Sequence, residues 1–174
     1  KLLAKERTEK DPIVIAGGPC ATFNPEPLSL FIDAFIIGEG EETINNFLDV
    51  YNDPSNENLS RKELLFKLAQ VPGVYVPCFY DHIYDENNKF RHQNNDDVPQ
   101  KVSRQWIRDL DAYDGKTVIT TENTEFNLFL IETSRGCGRH CRFCMAGYCF
   151  RKPRHRSLDK LLSYLPQAKN LNKK

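Results

Sequence analysis

"PIVIAGGPCATFNPEPLSLFIDAFIIGEG", residues 12–40, decides the fold class. Pro12 to Gly18 is a short β-branched run closed by paired glycines, the pattern of a buried strand followed by a turn that brings backbone close to something. A second compact apolar run follows at Ala34 to Gly40. Between them Asn24 offers a helix cap and Pro25 suits a first helical position, so a short helix is expected to join the strands. Strand, helix, strand in that order is a parallel crossover, and the expected class is α/β.

Downstream, Ile44, Phe47, Leu48 and Tyr51 recur at helical offsets, with Glu41 and Glu42 in the first turn where the helix dipole favours negative charge. "YNDPSNENLS" breaks that pattern, and Ser60 with Glu63 then forms a capping box ahead of "LLFKLAQ". Val74 to Tyr80, a polar "DENN" turn and a return through Phe90 predict a β-hairpin. Asn94 to Glu125, apart from "QWIRDL", is polar and irregular and is expected to be a connector. "FNLFLIETSRGC" is a third strand signal, and parallel α/β folds hold their chemistry at the C-terminal ends of such strands. Ser157 then caps an expected helix with Leu158, Leu161, Leu162 and Leu165 as its apolar face, before Pro166 and a basic tail.

The chain has 174 residues, formal net charge zero, 28% charged and 40% hydrophobic residues. That composition favours neither a disordered chain nor a membrane protein, and no stretch approaches the ~18 apolar residues of a spanning helix. "KLLAKERTEKDP" lacks the layout of a signal peptide, so the cytoplasm is the expected compartment, with no membrane partner. The neutral balance hides a local excess of cations at Arg135, Arg139, Arg142, Arg151, Lys152, Arg154 and Arg156. Within it the run Arg151 to Arg156 reads first as a solvated face, and second as a grip on phosphates, an acidic substrate or nucleic acid.

Four of the six cysteines fall in "RGCGRHCRFCMAGYCF", residues 135–150, while Cys20 and Cys78 stand alone. That distribution suits a metal or cluster site better than a disulfide framework. Cys137, Cys141 and Cys144 form C-x3-C-x2-C among small, basic and aromatic neighbours, and basic neighbours favour the metal-binding thiolate. A cubane iron-sulfur cluster held by three cysteines keeps one iron open to a substrate or cofactor. Zinc closed by His140 or Cys149 is the competing reading of the same loop. Cys149 either packs beneath the loop, as buried thiols commonly do, or reaches the open iron.

This triplet, with an aromatic residue before its third cysteine and set in "FLIETSRGCGRHCRFCMAGYCFRKPRHRS", resembles the radical S-adenosylmethionine superfamily. The resemblance implies that Cys137, Cys141 and Cys144 bind a [4Fe-4S] cluster that chelates S-adenosylmethionine, with Phe143 near the adenine. It further implies reductive cleavage of the cofactor to drive radical chemistry on an unknown substrate, with a flavodoxin or ferredoxin as reductant. Residues 12–44 resemble the closing part of the cobalamin-binding domain found in one branch of that superfamily. By that likeness Gly17, Gly18, Pro19 and Thr22 would lie near a cobalamin, though the segment that supplies the cobalt-binding histidine in some relatives is absent. The implied layout is the end of a flavodoxin-like cobalamin domain (1–52), a linker with a helix and hairpin (53–125), and the start of a radical barrel (126–174). A chain so cut is expected to be inactive alone. Two other readings stay open: a methylthiotransferase-like RNA-modifying enzyme, and a non-catalytic zinc or cobalamin module.

Overall fold

A computed structural model of the chain describes residues 1–87, 90–94, 97–118, 128–150 and 152–170. They form two compact units, Lys1–Trp106 and Ile107–Lys174, and the architecture is α/β.

In the first unit β1 (Ile15–Ala16), β2 (Ala34–Ile36) and β3 (Val74–Tyr75) form one sheet in that order. β1 and β2 run parallel, with Ile15 opposite Ala34, so the crossover read from residues 12–40 is present. Its helix is not where Asn24 and Pro25 placed it: α1 spans Gly18–Phe23, Asn24 is its C-cap, and a 3-10 turn follows at Glu26–Leu28. Pro19 carries the same start signal as Pro25, because neither needs an N–H in a first turn, and the earlier proline sets the start. β3 joins antiparallel to β2, so the sheet takes a strand from residues the sequence assigned to a linker.

α2 (Gly40–Tyr51) and α3 (Arg61–Ala69) cover this sheet and bury Phe47, Leu65 and Leu68 against Phe35, Val74 and Tyr75. The capping box forms as expected: the Ser60 amide donates to Glu63 Oε2 at 2.8 Å and the Glu63 amide donates back to Ser60 Oγ at 3.4 Å. A hairpin is present, with β4 (Tyr80–Tyr84) antiparallel to β5 (Phe90–Asn94), but of the residues expected for its first arm only Tyr80 takes part, since Val74 and Tyr75 are β3 and Pro77–Phe79 is a 3-10 turn. The connector does more than connect. Val98 is buried in the core, and Gln105 bridges Gly38 just past β2.

In the second unit β6 (Ser134–Arg135) pairs antiparallel with β7 (Arg154–His155), and between them lies the short helix α4 (Ala146–Cys149). The strand expected over 126–137 is mostly absent as a ladder. Residues 126 and 127 lie outside the described residues, and Ile131 makes one antiparallel bridge to Lys116. Phe129 is buried while Leu128 and Leu130 are exposed, so the run alternates like a half-covered edge rather than a strand buried on both faces. The strand pairings described in this unit are antiparallel, unlike those of a parallel barrel.

The last helix, α5 (Leu158–Asn170), continues through Pro166, where the sequence reading ended it. Proline at that position leaves the Leu162 carbonyl without its usual donor. The buried contact of α5 is Tyr164 at 2% exposure, while Leu158, Leu162 and Leu165 are exposed. The Tyr164 hydroxyl accepts from the Gly115 amide at 3.2 Å, and the Lys116 ammonium sits 5.1 Å from its ring centre. Among the described residues no helix is long and apolar enough to cross a membrane.

Candidate functional site

The cysteine loop leaves the end of β6 and returns to the start of β7, so one strand pair ties its two ends together. Gly136 turns the chain into the loop with φ of +100°, where a Cβ would lie 2.7 Å from the Lys152 carbonyl oxygen and 2.8 Å from that of Phe150. Only glycine accepts both the left-handed backbone and that approach. The Cys137 amide donates to the Phe150 carbonyl at 2.7 Å, closing the neck of the loop. Farther along, Cys141 and Cys144 are joined by a turn whose Cys144 amide donates to the Cys141 carbonyl at 3.1 Å. Gly147 of α4 lies against the Arg139 carbonyl oxygen, 2.8 Å from where a Cβ would be.

Within this clasp, Cys141 is exposed, Cys137 and Cys144 are half-buried, and none is in a disulfide. Cys149 is buried on α4, in line with a packing role. Phe143 projects into solvent at 92% exposure, and His140 is exposed beside Cys141. Among the described residues no three His, Cys, Asp or Glu side chains are gathered closely enough to hold a metal ion. The donor set nevertheless fits a thiolate-bound cluster: three free, accessible thiols share one loop that is fixed at its neck. Metal sites of this kind commonly close as the metal binds, because ligand gathering and local folding are coupled.

In the basic region Arg139, Arg142 and Lys152 are exposed, as a solvated face would be, whereas Arg135, Arg154 and Arg156 make contacts within the protein. Arg156 has a fully buried side chain and donates to the carbonyls of Leu110 and Tyr113 and to Glu132 Oε2 at 2.6 Å. Arg135 holds the same carboxylate from the other side, through Nε at 2.9 Å and Nη2 at 3.0 Å. Arg154 donates to the carbonyls of Ile107 and Lys152. Partial burial pushes the Glu132 carboxyl up, but the hydrogen bonds and charges of Arg135 and Arg156 outweigh it and hold the group below its ordinary range. Arg151 lies outside the described residues. Glu132 was legible only as a lone acid three residues before Arg135; its pairing with Arg156 needs the β6–β7 contact.

The paired glycines Gly17 and Gly18 sit at the C-terminal end of β1. Gly17 is the extended N-cap of α1, and Gly18 has φ of +86° with nothing within 4 Å of where a Cβ would lie. Pro19 occupies the first turn of α1, and Thr22 Oγ1 accepts from the Gly38 amide at 3.0 Å, tying α1 to the loop after β2. Gly17, Gly18, Pro19 and Thr22 thus share one short segment.

Residues 1–77 match the family described as radical SAM proteins, N-terminal. That match likens the first 77 residues of this chain to the N-terminal part of radical SAM proteins. Over 161 residues the chain is 31% identical to the uncharacterized protein MJ0966 of Methanocaldococcus jannaschii, an alignment covering 92% of this chain and 29% of that relative. The chain therefore spans less than a third of the relative's length. No solved structure matches the chain.

Proposed function

We propose that the chain carries the cluster-binding segment of a radical S-adenosylmethionine enzyme, with Cys137, Cys141 and Cys144 as the ligands of a [4Fe-4S] cluster. The observation that carries this reading is the loop itself: three free thiols in C-x3-C-x2-C spacing between β6 and α4, in a chain whose first 77 residues match a radical SAM N-terminal family. The chemistry these groups supply when bound is one-electron cleavage of the cofactor's sulfonium C–S bond, with the electron delivered by a reductant of the flavodoxin or ferredoxin class. This chain's part is to hold and shield. Gly136 and Gly147 set the path of the loop, Arg156 and Glu132 fix its base, and Phe143 offers an exposed ring to cover the adenine of a bound cofactor. Substrate turnover belongs to the longer enzyme, in line with the short span of the alignment.

The test is iron, acid-labile sulfide and zinc per chain after anaerobic reconstitution. About four irons with four sulfides are expected. Each of Cys137→Ala, Cys141→Ala and Cys144→Ala should lose the cluster, while Cys149→Ala keeps it, and S-adenosylmethionine should perturb the spectrum of the reduced cluster. Stoichiometric zinc without sulfide, or a normal cluster in any of the first three variants, overturns the assignment.

A further inference from the structure

We propose that the first unit carries a second binding site, for a small amphiphilic anion: one carboxylate or phosphate group on an apolar body. It lies in a cleft of about 630 Å³ between the Leu3–Arg7 segment, the start of α3 and the chain just after β3. Ligand pockets are typically ~300–1,000 Å³, so the space suits a small molecule.

The floor of the cleft is an ion cluster that leaves positive charge over. Asp33 Oδ2 accepts from Arg7 Nη1 at 2.9 Å, from Arg61 Nη2 at 2.9 Å and from the Val14 amide at 2.8 Å. All three side chains are at least nine-tenths buried, so two guanidinium groups share one carboxylate away from bulk water. Backbone carbonyls accept from their remaining terminal nitrogens and from Arg7 Nε, those of Lys1, Leu2 and Phe31 for Arg7 and those of Thr8, Asp11 and Pro12 for Arg61. Arg61 Nε remains buried with no hydrogen-bond partner. At the rim, Lys5 and Lys62 are exposed and make no ion pair among the described residues. Glu9 is the other acid lining the cleft, so four cations face two carboxylates.

The walls are apolar, formed by Leu3, Leu30, Ile32, Leu65 and Pro77. Uncompensated cations beside low-dielectric walls attract anions more strongly than the same charges on an open face. An apolar body adds area buried against those leucines, which inorganic phosphate lacks. The lysines select the charge of the ligand and the walls select its tail.

Topology separates this site from the residues already discussed. Pro12–Val14 and Asp33 precede the parallel strands β1 and β2, and Pro77 and Cys78 follow the antiparallel β3, so all lie at one edge of the sheet. Gly17 and Gly18 follow β1 at the opposite edge, the one that usually holds ligands in parallel α/β sheets. The site does not depend on the cysteine loop or on its metal.

Calorimetric titration of the full chain with octyl phosphate and with octanoate tests the proposal, using inorganic phosphate and octanol as head-only and tail-only controls. At least one octyl anion should bind saturably, about tenfold or more tighter than either control, and whichever is tighter names the head group. Lys5→Glu combined with Lys62→Glu should weaken that binding about tenfold or more. Both lysines are exposed, and Lys5→Gln with Lys62→Gln gives a milder pair should the reversal disturb folding. Cys78 on the wall supplies a second readout. The saturating anion should slow its alkylation by iodoacetamide, followed by peptide mass spectrometry, while Cys20 on α1 reacts as before. No saturable binding of either anion, equal binding by the charge-altered variants, or unchanged Cys78 labelling at saturation overturns the site.

Discussion

Arg156 is a residue whose role reverses between sequence and structure. Five residues after Arg151 in a basic run it looks solvated, yet its side chain is fully buried and spans Leu110, Tyr113 and Glu132. Arg156→Met should cost about 3–5 kcal/mol in urea denaturation, because it strips two carbonyls and a carboxylate of their donor. Arg156→Lys should fall between, since it keeps the charge and loses the fork. The pH dependence follows from Glu132, whose folded carboxyl titrates below its ordinary 4.5. Its contribution is present above that value and is lost as the pH falls through the folded pKa, so Glu132→Gln should flatten stability loss below about pH 4.5. At Gly136 the constraint is backbone. Gly136→Ala should cost about 1–3 kcal/mol and lower iron loading, because a Cβ would strike the Lys152 and Phe150 carbonyls that close the loop.

Elements set by neighbours in sequence were legible, and those set by neighbours in space were not. The capping box at Ser60 and Glu63 was read from two residues and is formed, since both partners lie within one turn. Ser60→Ala should cost about 1 kcal/mol. By contrast Leu68→Ala should cost about 2–5 kcal/mol, because Leu68 is fully buried beneath the sheet; thermal denaturation of both variants checks the ranking. The apolar run at 126–137 shows the limit. Ser134 and Arg135 form ladder pairs there, because a strand needs a partner and β7 reaches no farther than those two residues. Likewise the apolar stripe of α5 was real as a pattern, yet Tyr164 is what packs, since periodicity does not say which face finds a neighbour.

Across the molecule, the two units are stabilised by different means. The first has a continuous apolar core running from Ala21 to Val98, and the second buries Ile107, Leu110, Phe129, Cys149 and Tyr164 together with the Arg156 side chain paired to Glu132. Hydrogen exchange should therefore be slowest in β2 and α3 and faster throughout β6, β7 and α5. Cluster reconstitution should raise protection around residues 137–149, and equal protection in both units before loading would show that the ion cluster holds as firmly as the apolar core. The sequence by itself determined the α/β class, the parallel crossover, the capping box, the hairpin and the cysteine triplet, because each rests on residues a few positions apart or on a single β-branched run. Tertiary structure alone decided that β3 joins the first sheet, that Arg156 is buried on Glu132, and that Asp33 gathers Arg7 and Arg61 beneath a cationic cleft. Each of those brings together residues more than twenty positions apart, and charge pairing over such distances leaves no periodic trace in the chain.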